Sequence, residues 1–97
     1  MIFARVAGTV VATRRSDGLP GAKLLLVELC DQRGGGRKQP DYLVALDGIG
    51  AGVGELVMGT QGPSARQMTF SDKKPVDALI SGIVDLVDEN GEVAFRK

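Results

Sequence analysis

The sequence predicts a mainly-β domain closed into a small barrel, with one or two short helices. Three observations predict it. Apolar residues alternate with polar ones or fall in short runs, the pattern of strands rather than of amphipathic helices. Clusters of Gly, Asn, Asp, Ser and Pro separate those runs at short intervals. Roughly five or six such runs fit into the 97 residues, and a sheet closed on itself is the simplest arrangement that leaves no strand edge unpaired.

The opening segment places Ile2, Ala4, Val6, Val10 and Ala12 on one parity and Arg5, Thr9 and Thr13 on the other, as a half-buried strand does. Gly8 interrupts it and marks a bulge or bend, which lets one strand turn a corner and join both sides of a barrel. A polar loop follows over 14–21. Lys23 to Cys30 is apolar on both parities, so both faces of that strand require cover, one from the core and one from a neighbouring chain. The segment 31–41, with three consecutive glycines and three basic residues, reads as a flexible hairpin connection.

Tyr42-Leu43-Val44-Ala45-Leu46 and Leu56-Val57-Met58-Gly59-Thr60 are two further strands. Residues 61–67 read as a turn leading into a short helical turn. Residues 74–79 read as a short helix, with Pro75 in its first turn and Asp77 near the positive end of its dipole. Ile80 to Val87 returns to strand. Asn90-Gly91 is a hairpin signal, with Val93-Ala94-Phe95 as the last short strand. The whole of 1–97 reads as one domain, with a core over about 1–87 and a C-terminal hairpin over 88–97.

Composition narrows the function. Hydrophobic residues make up 43% and charged residues 25% of the chain, a globular balance without an apolar run of membrane-spanning length. Twelve basic residues balance twelve acidic ones, so no global field draws nucleic acid or anionic lipid. The N-terminus lacks the layout of a signal peptide, and a cytoplasmic location is expected. With no histidine and a single cysteine, Cys30, the usual zinc sites and catalytic dyads have no ligands, and no metal or other cofactor is expected. Cys30 reads as a half-buried strand residue without a positive neighbour to activate it.

The segment from Asp47 to Glu55 is the most constrained. Gly48, Gly50, Gly52 and Gly54 alternate with Ile49, Ala51 and Val53 between two apolar strands. A dinucleotide fingerprint requires G-x-G-x-x-G opening a helix, and a phosphate loop requires Gly-Lys-Ser/Thr; neither spacing is present. The segment is instead a tight structural loop or a close subunit contact.

Arg5-Val6-Ala7-Gly8-Thr9-Val10-Val11-Ala12-Thr13, Gly21-Ala22-Lys23-Leu24-Leu25-Leu26-Val27, the run from Leu46 to Val57, Gly62-Pro63-Ser64-Ala65-Arg66 and the run from Pro75 to Asp85 together resemble the pentameric vertex proteins of bacterial microcompartment shells. The resemblance spans nearly the whole chain. It implies an oligonucleotide/oligosaccharide-binding-like (OB-like) five-stranded barrel that assembles as a cyclic homopentamer. It also implies a non-enzymatic shell protein that caps the vertices of a polyhedral compartment tiled by hexameric shell proteins. On this resemblance Asp47, Gly48, Ile49, Gly50, Ala51, Gly52, Gly54 and Glu55 are candidates for the subunit interface or a pore loop. The carboxylates of Asp47 and Glu55 would then bind backbone amides or the arginines Arg5 and Arg66. Pro63 and the glycine-rich basic loop 31–41 depart from the family pattern.

Two rival functions use the same residues. An OB-like barrel can bind single-stranded nucleic acid through aromatic platforms, but Phe3, Tyr42, Phe70 and Phe95 are the only aromatic side chains and net charge is zero. Catalysis by Asp47, Glu55, Asp77 or Asp85 needs two carboxylates to converge in a cleft, and nothing in their spacing imposes that.

Overall fold

β1 (Ile2–Val10) belongs to two sides of a closed sheet. A computed structural model of the protein describes residues 1–11, 23–61 and 78–97. In it β1 pairs antiparallel with β2 (Leu24–Cys30) along its length and with β4 (Leu56–Gln61) through Ile2 to Arg5. β2 pairs with β3 (Tyr42–Asp47), β3 runs parallel to β5 (Ala78–Ile83), and β5 returns antiparallel to β4. The resulting order β1-β2-β3-β5-β4 closes a five-stranded barrel. β6 (Leu86–Glu89) and β7 (Glu92–Arg96) form a separate two-stranded hairpin.

The bend in β1 lies where Gly8 places it. Val6 pairs with Val27 and Gly8 with Leu26, leaving Ala7 as the extra residue of a bulge. The bulge has a consequence that strict alternation misses, because an inserted residue reverses the parity beyond it. Val10, expected on the same face as Ala4 and Val6, pairs with Leu24 and Thr9 with the buried Leu25, although Val10 stays half-buried and Thr9 exposed as the alternation expects. Residues 12 and 13 of the expected pattern lie outside the described residues.

Large and small side chains alternate across the barrel interior. Leu25 sits beside Ala45, and Ala45 beside Ala78; Leu29 sits beside Ala4, and Ala4 beside Val57. All are buried in one cluster with Val6, Val27, Ala51 and Ile80. A five-stranded barrel is too narrow for rows of leucine, so alanine at facing positions makes room for them. On β2 the partners of opposite parity, Leu24 and Leu26, are only half-buried, so its second apolar face is incompletely covered within one chain.

Three expectations change. Ala78 and Leu79, placed at the end of a short helix, are strand residues pairing with β3 on one side and β4 on the other. Burial between two strands outweighs any local helical preference there. The rest of that helix, and the helical turn expected over 61–67 apart from Gln61 in β4, lie outside the described residues, among which no helix forms. The strand expected over 80–87 breaks at Val84 and Asp85, where the Val84 amide donates to Leu56 O at 2.8 Å and the chain leaves the barrel to start β6. The loop 31–41 is also held rather than free. Asp31 Oδ1 accepts the amides of Arg33 and Gly35 at 2.8 and 3.0 Å, Gly34 takes φ +79°, and Arg37 pairs with Asp41.

The hairpin follows its sequence signal. Asn90 and Gly91 have φ of 54° and 83°, the double left-handed geometry of a type I′ turn between Glu89 and Glu92.

Gly59 faces backbone: a Cβ there would overlap Leu79 O and lie 3.1 Å from its carbonyl carbon. Because those atoms cannot rotate away, Gly59→Ala is expected to cost about 1–3 kcal/mol, read as a lower urea midpoint with unchanged slope. Gly8→Ala, where nothing lies within 4 Å, is the control and should shift stability by less than about 0.5 kcal/mol.

Candidate functional site

The glycine segment connects the end of β3 to the start of β4 and folds over one mouth of the barrel. Its anchor is Asp47, whose side chain is 1% exposed. Asp47 Oδ1 accepts three successive amides, from Ile49 at 3.0 Å, Gly50 at 2.9 Å and Ala51 at 3.2 Å. A short carboxylate side chain reaches the amides two to four residues onward, which is why an aspartate opens such a turn. Oδ2 faces Lys23 Nζ at 3.8 Å, and the same ammonium donates to Ala51 O at 3.1 Å. Ala51 itself is fully buried in the core cluster, so the loop inserts one methyl group into the barrel end.

Glu55 closes the other side of the loop. Its Oε1 accepts the Gly52 amide at 2.6 Å, and its Oε2 accepts from Lys97 Nζ at 2.7 Å. The Lys97 bond and the Gly52 amide hold the Glu55 carboxyl below its ordinary value of 4.5, and Glu55 in turn raises Lys97 above 10.5. Gly50 and Gly54 adopt φ of +82° and +91°, a region L-residues rarely enter. Gly52 has no such angle, but a Cβ there would lie 3.3 Å from Glu55 Oε1. Ile49 and Val53 project, 44% and 67% exposed.

Arg5 holds the loop to its surroundings. It donates to Gly54 O at 2.8 Å and to Gly34 O at 3.0 Å, joining the glycine loop to the turn after β2. The amide of Gly54 donates to Val6 O and that of Val6 to Glu55 O, continuing the β1–β4 ladder into the loop. The structure thus gathers Asp47, Gly48, Ile49, Gly50, Ala51, Gly52, Gly54, Glu55 and Arg5 at one end of the barrel, while Arg66 lies outside the described residues. Within one chain the two carboxylates take amides and lysines, and Arg5 takes carbonyls.

Lys23 and Lys97 were not singled out from the sequence. Lys23 reads only as the start of an apolar strand, and Lys97 is 42 positions from Glu55, so no local spacing connects them. Cys30 does have a cationic neighbour, Arg5, but burial pushes the thiol up from 9.0 and outweighs it, while Sγ donates to Glu28 O at 3.3 Å.

The hairpin is pinned at both ends. Glu89 accepts from Gln32 Nε2 at 2.8 Å and Arg33 Nη2 at 3.0 Å. The Phe95 ring lies 3.1 Å from where a Cβ of Gly34 would stand. At its base the Lys97 amide donates to Asp85 O.

A closed barrel whose mouth is capped by an aspartate-anchored glycine loop defines the class, and the comparisons define the family. Residues 1–85 match the family model described as ethanolamine utilisation protein EutN/carboxysome. The chain is 46% identical over 99 residues to the bacterial microcompartment shell vertex protein EutN of Escherichia coli (strain K12), covering 100% of each. It is 41% identical over 97 residues to the carboxysome shell vertex protein CcmL of Gloeobacter violaceus, covering 100% of this chain and 95% of that one. The solved structure of Gloeobacter violaceus CcmL superposes with a TM-score of 0.86 over 100% of this chain and 98% of that chain. The pentameric microcompartment shell protein GrpN of Rhodospirillum rubrum, 37% identical, superposes with a TM-score of 0.75 over 92% of this chain and 99% of that chain. The chain belongs to the EutN/CcmL family.

Two outcomes test the loop. Asp47→Ala leaves three amides without their acceptor and should destabilise the chain by about 1.5–3 kcal/mol in urea unfolding; Asp47→Asn, which keeps Oδ1, should cost clearly less. The Glu55–Lys97 pair should be fully present between pH 4.5 and 10.5. Its contribution is lost as pH falls through the depressed Glu55 value and as it rises through the elevated Lys97 value. Glu55→Gln should therefore flatten both limbs of the stability–pH curve relative to the parent.

Proposed function

We propose that this chain is a structural shell protein, five copies of which close into a ring that caps a vertex of a polyhedral bacterial microcompartment. The observation that carries this reading is end-to-end likeness, in sequence and in barrel geometry, to shell vertex proteins of carboxysomes and ethanolamine compartments. Flat facets of hexagonal tiles close into a polyhedron only with five-fold units at the corners, and a cyclic ring of small identical chains supplies one. Its neighbours in the shell are hexameric shell proteins, and the whole of 1–97 acts as one vertex domain with the C-terminal hairpin as its appendage.

In this reading the loop from Asp47 to Glu55, with Arg5 and Arg66, lies at the contact between adjacent copies or along the ring axis. The anchoring of the loop supports it: Asp47 and Glu55 hold the backbone from which Ile49 and Val53 project, 44% and 67% exposed. The role is structural rather than catalytic, since the relatives are named as shell proteins and both loop carboxylates are already engaged by amides and lysines.

The rival nucleic-acid reading finds little on the barrel. The β2–β3 face, which OB-folds use for single strands, carries Leu24, Leu26 and Glu28 of β2 and Tyr42, Val44 and Leu46 of β3 on its outer parity. That is one aromatic ring and no cation among the described residues there, where stacking and phosphate contacts require several of each.

Native mass spectrometry of the purified chain should show a dominant five-chain species; a monomer at every concentration would overturn the vertex reading. Gly50→Val, which forces a β-branched residue to φ +82°, should shift that distribution toward smaller species.

A further inference from the structure

The tip of the C-terminal hairpin carries a reactive pair that neither the barrel nor the glycine loop uses. Asn90-Gly91 forms the turn, and the chain has no other asparagine. Both residues are exposed, and a Cβ at Gly91 would meet nothing within 4 Å. The β6–β7 ladder closes on the Glu89–Glu92 pair, so in a two-residue loop of this type the amide of Gly91 stands outside the ladder. A carboxamide is therefore followed directly by a backbone nitrogen that no side chain shields and that solvent reaches. Asparagine is among the thermally labile residue types, and its lability depends on access to that following nitrogen.

We propose that Asn90 is a self-modification site that deamidates in the folded chain, and that the conversion unfastens the hairpin tip from the turn after β2. The Gly91 nitrogen attacks Asn90 Cγ; the new N–C bond closes a cyclic imide, and the side-chain nitrogen leaves as ammonia, carrying the proton the Gly91 amide gave up. Water then opens the ring at either carbonyl to give aspartate or isoaspartate. One water is consumed and one ammonia released, and no oxidant or other reactant is needed. Each product adds a carboxylate where Glu89 and Glu92 already face each other across the ladder, an arrangement that like charges make unfavourable. Glu89 is held by Arg33 at 3.0 Å and Gln32 at 2.8 Å, and a further carboxylate competes for that guanidinium. Isoaspartate also routes the main chain through its side-chain carbon. A loop lengthened in this way no longer fits the turn whose residues take φ of 54° and 83°, and Glu89 loses the position from which it reaches Arg33.

The parent chain is incubated in mildly alkaline buffer, folded in one arm and unfolded in guanidinium chloride in the other, and the peptide over 86–97 is followed by mass. That peptide contains no glutamine, so the increment from exchanging NH2 for OH reports on position 90. Asn90→Asp, which keeps a residue suited to the turn, should show no increment. The folded parent should convert within about ten-fold of the unfolded rate, as expected of a loop tip that opens at little cost; slower conversion would overturn the site. The products are then separated by ion exchange and compared by hydrogen exchange. In the isoaspartate form the hairpin amides should exchange several-fold faster than in the parent, while β1 to β5 keep the parent's rates. Parent-like exchange of the hairpin in that form would refute the release. Asn90→Asp should fall between the two, because it adds the charge without lengthening the loop; a rate equal to the parent's would remove the role given to charge.

Discussion

The buried carboxylate of Asp47 both folds the glycine loop that follows it and ties that loop to the distant start of β2. One oxygen gathers the amides of Ile49, Gly50 and Ala51, and the other faces Lys23 at the entry to β2. Folding the loop back in this way carries Ala51 into the core cluster and aims the chain into β4. The position of the glycine loop over the barrel mouth therefore depends on one side chain whose charge faces three backbone amides and, at 3.8 Å, the Lys23 ammonium. Such charge-assisted bonds are stronger than neutral ones, and the burial of Asp47 keeps water from competing for them.

The C-terminal hairpin is a second layer built onto that arrangement. Among the described residues it meets the turn after β2 through Glu89, which accepts from Gln32 and Arg33, and through Phe95 against Gly34, while Lys97 just beyond it reaches Glu55. Exposed ion pairs contribute little singly. The Phe95 contact adds packing to them, and Arg5 couples the turn under Phe95 to the glycine loop by bonding to the carbonyls of both. The hairpin and the loop are thus linked through Arg5 at one point and through the Glu55–Lys97 pair at another.

This construction suits a shell component. A structural tile needs rigid edges more than a deformable cleft, and the described loops spend their polar groups on internal bonds. Among the described residues the single chain also leaves apolar surface uncovered: Leu24 and Leu26 on the second face of β2 are half-buried, and Ile49, Val53, Met58 and Leu86 are exposed. A chain of 97 residues can bury only a modest share of its surface alone.

Much of the fold was legible because it rests on local chemistry. Strand periodicity located the barrel strands, Gly8 marked the bulge in β1, and Asn90-Gly91 marked the hairpin turn. Asp47 and the alternating glycines marked a constrained loop, since an aspartate bonding to amides within four residues is a short-range event. Other features were decided only in three dimensions. The parity reversal beyond Ala7 comes from pairing with β2, and Ala78 and Leu79 become strand because β3 and β4 flank them. The loop after β2 is held by Asp31 from within and by Glu89 and Phe95 from far along the chain. Lys23 and Lys97 meet their carboxylates only when the barrel closes. By itself the sequence determined the class of fold, the place of the bend and the turn, and the family to which the chain belongs. The tertiary structure decided which residues share a surface, because contacts between distant segments exist only after closure of the sheet sets its registers.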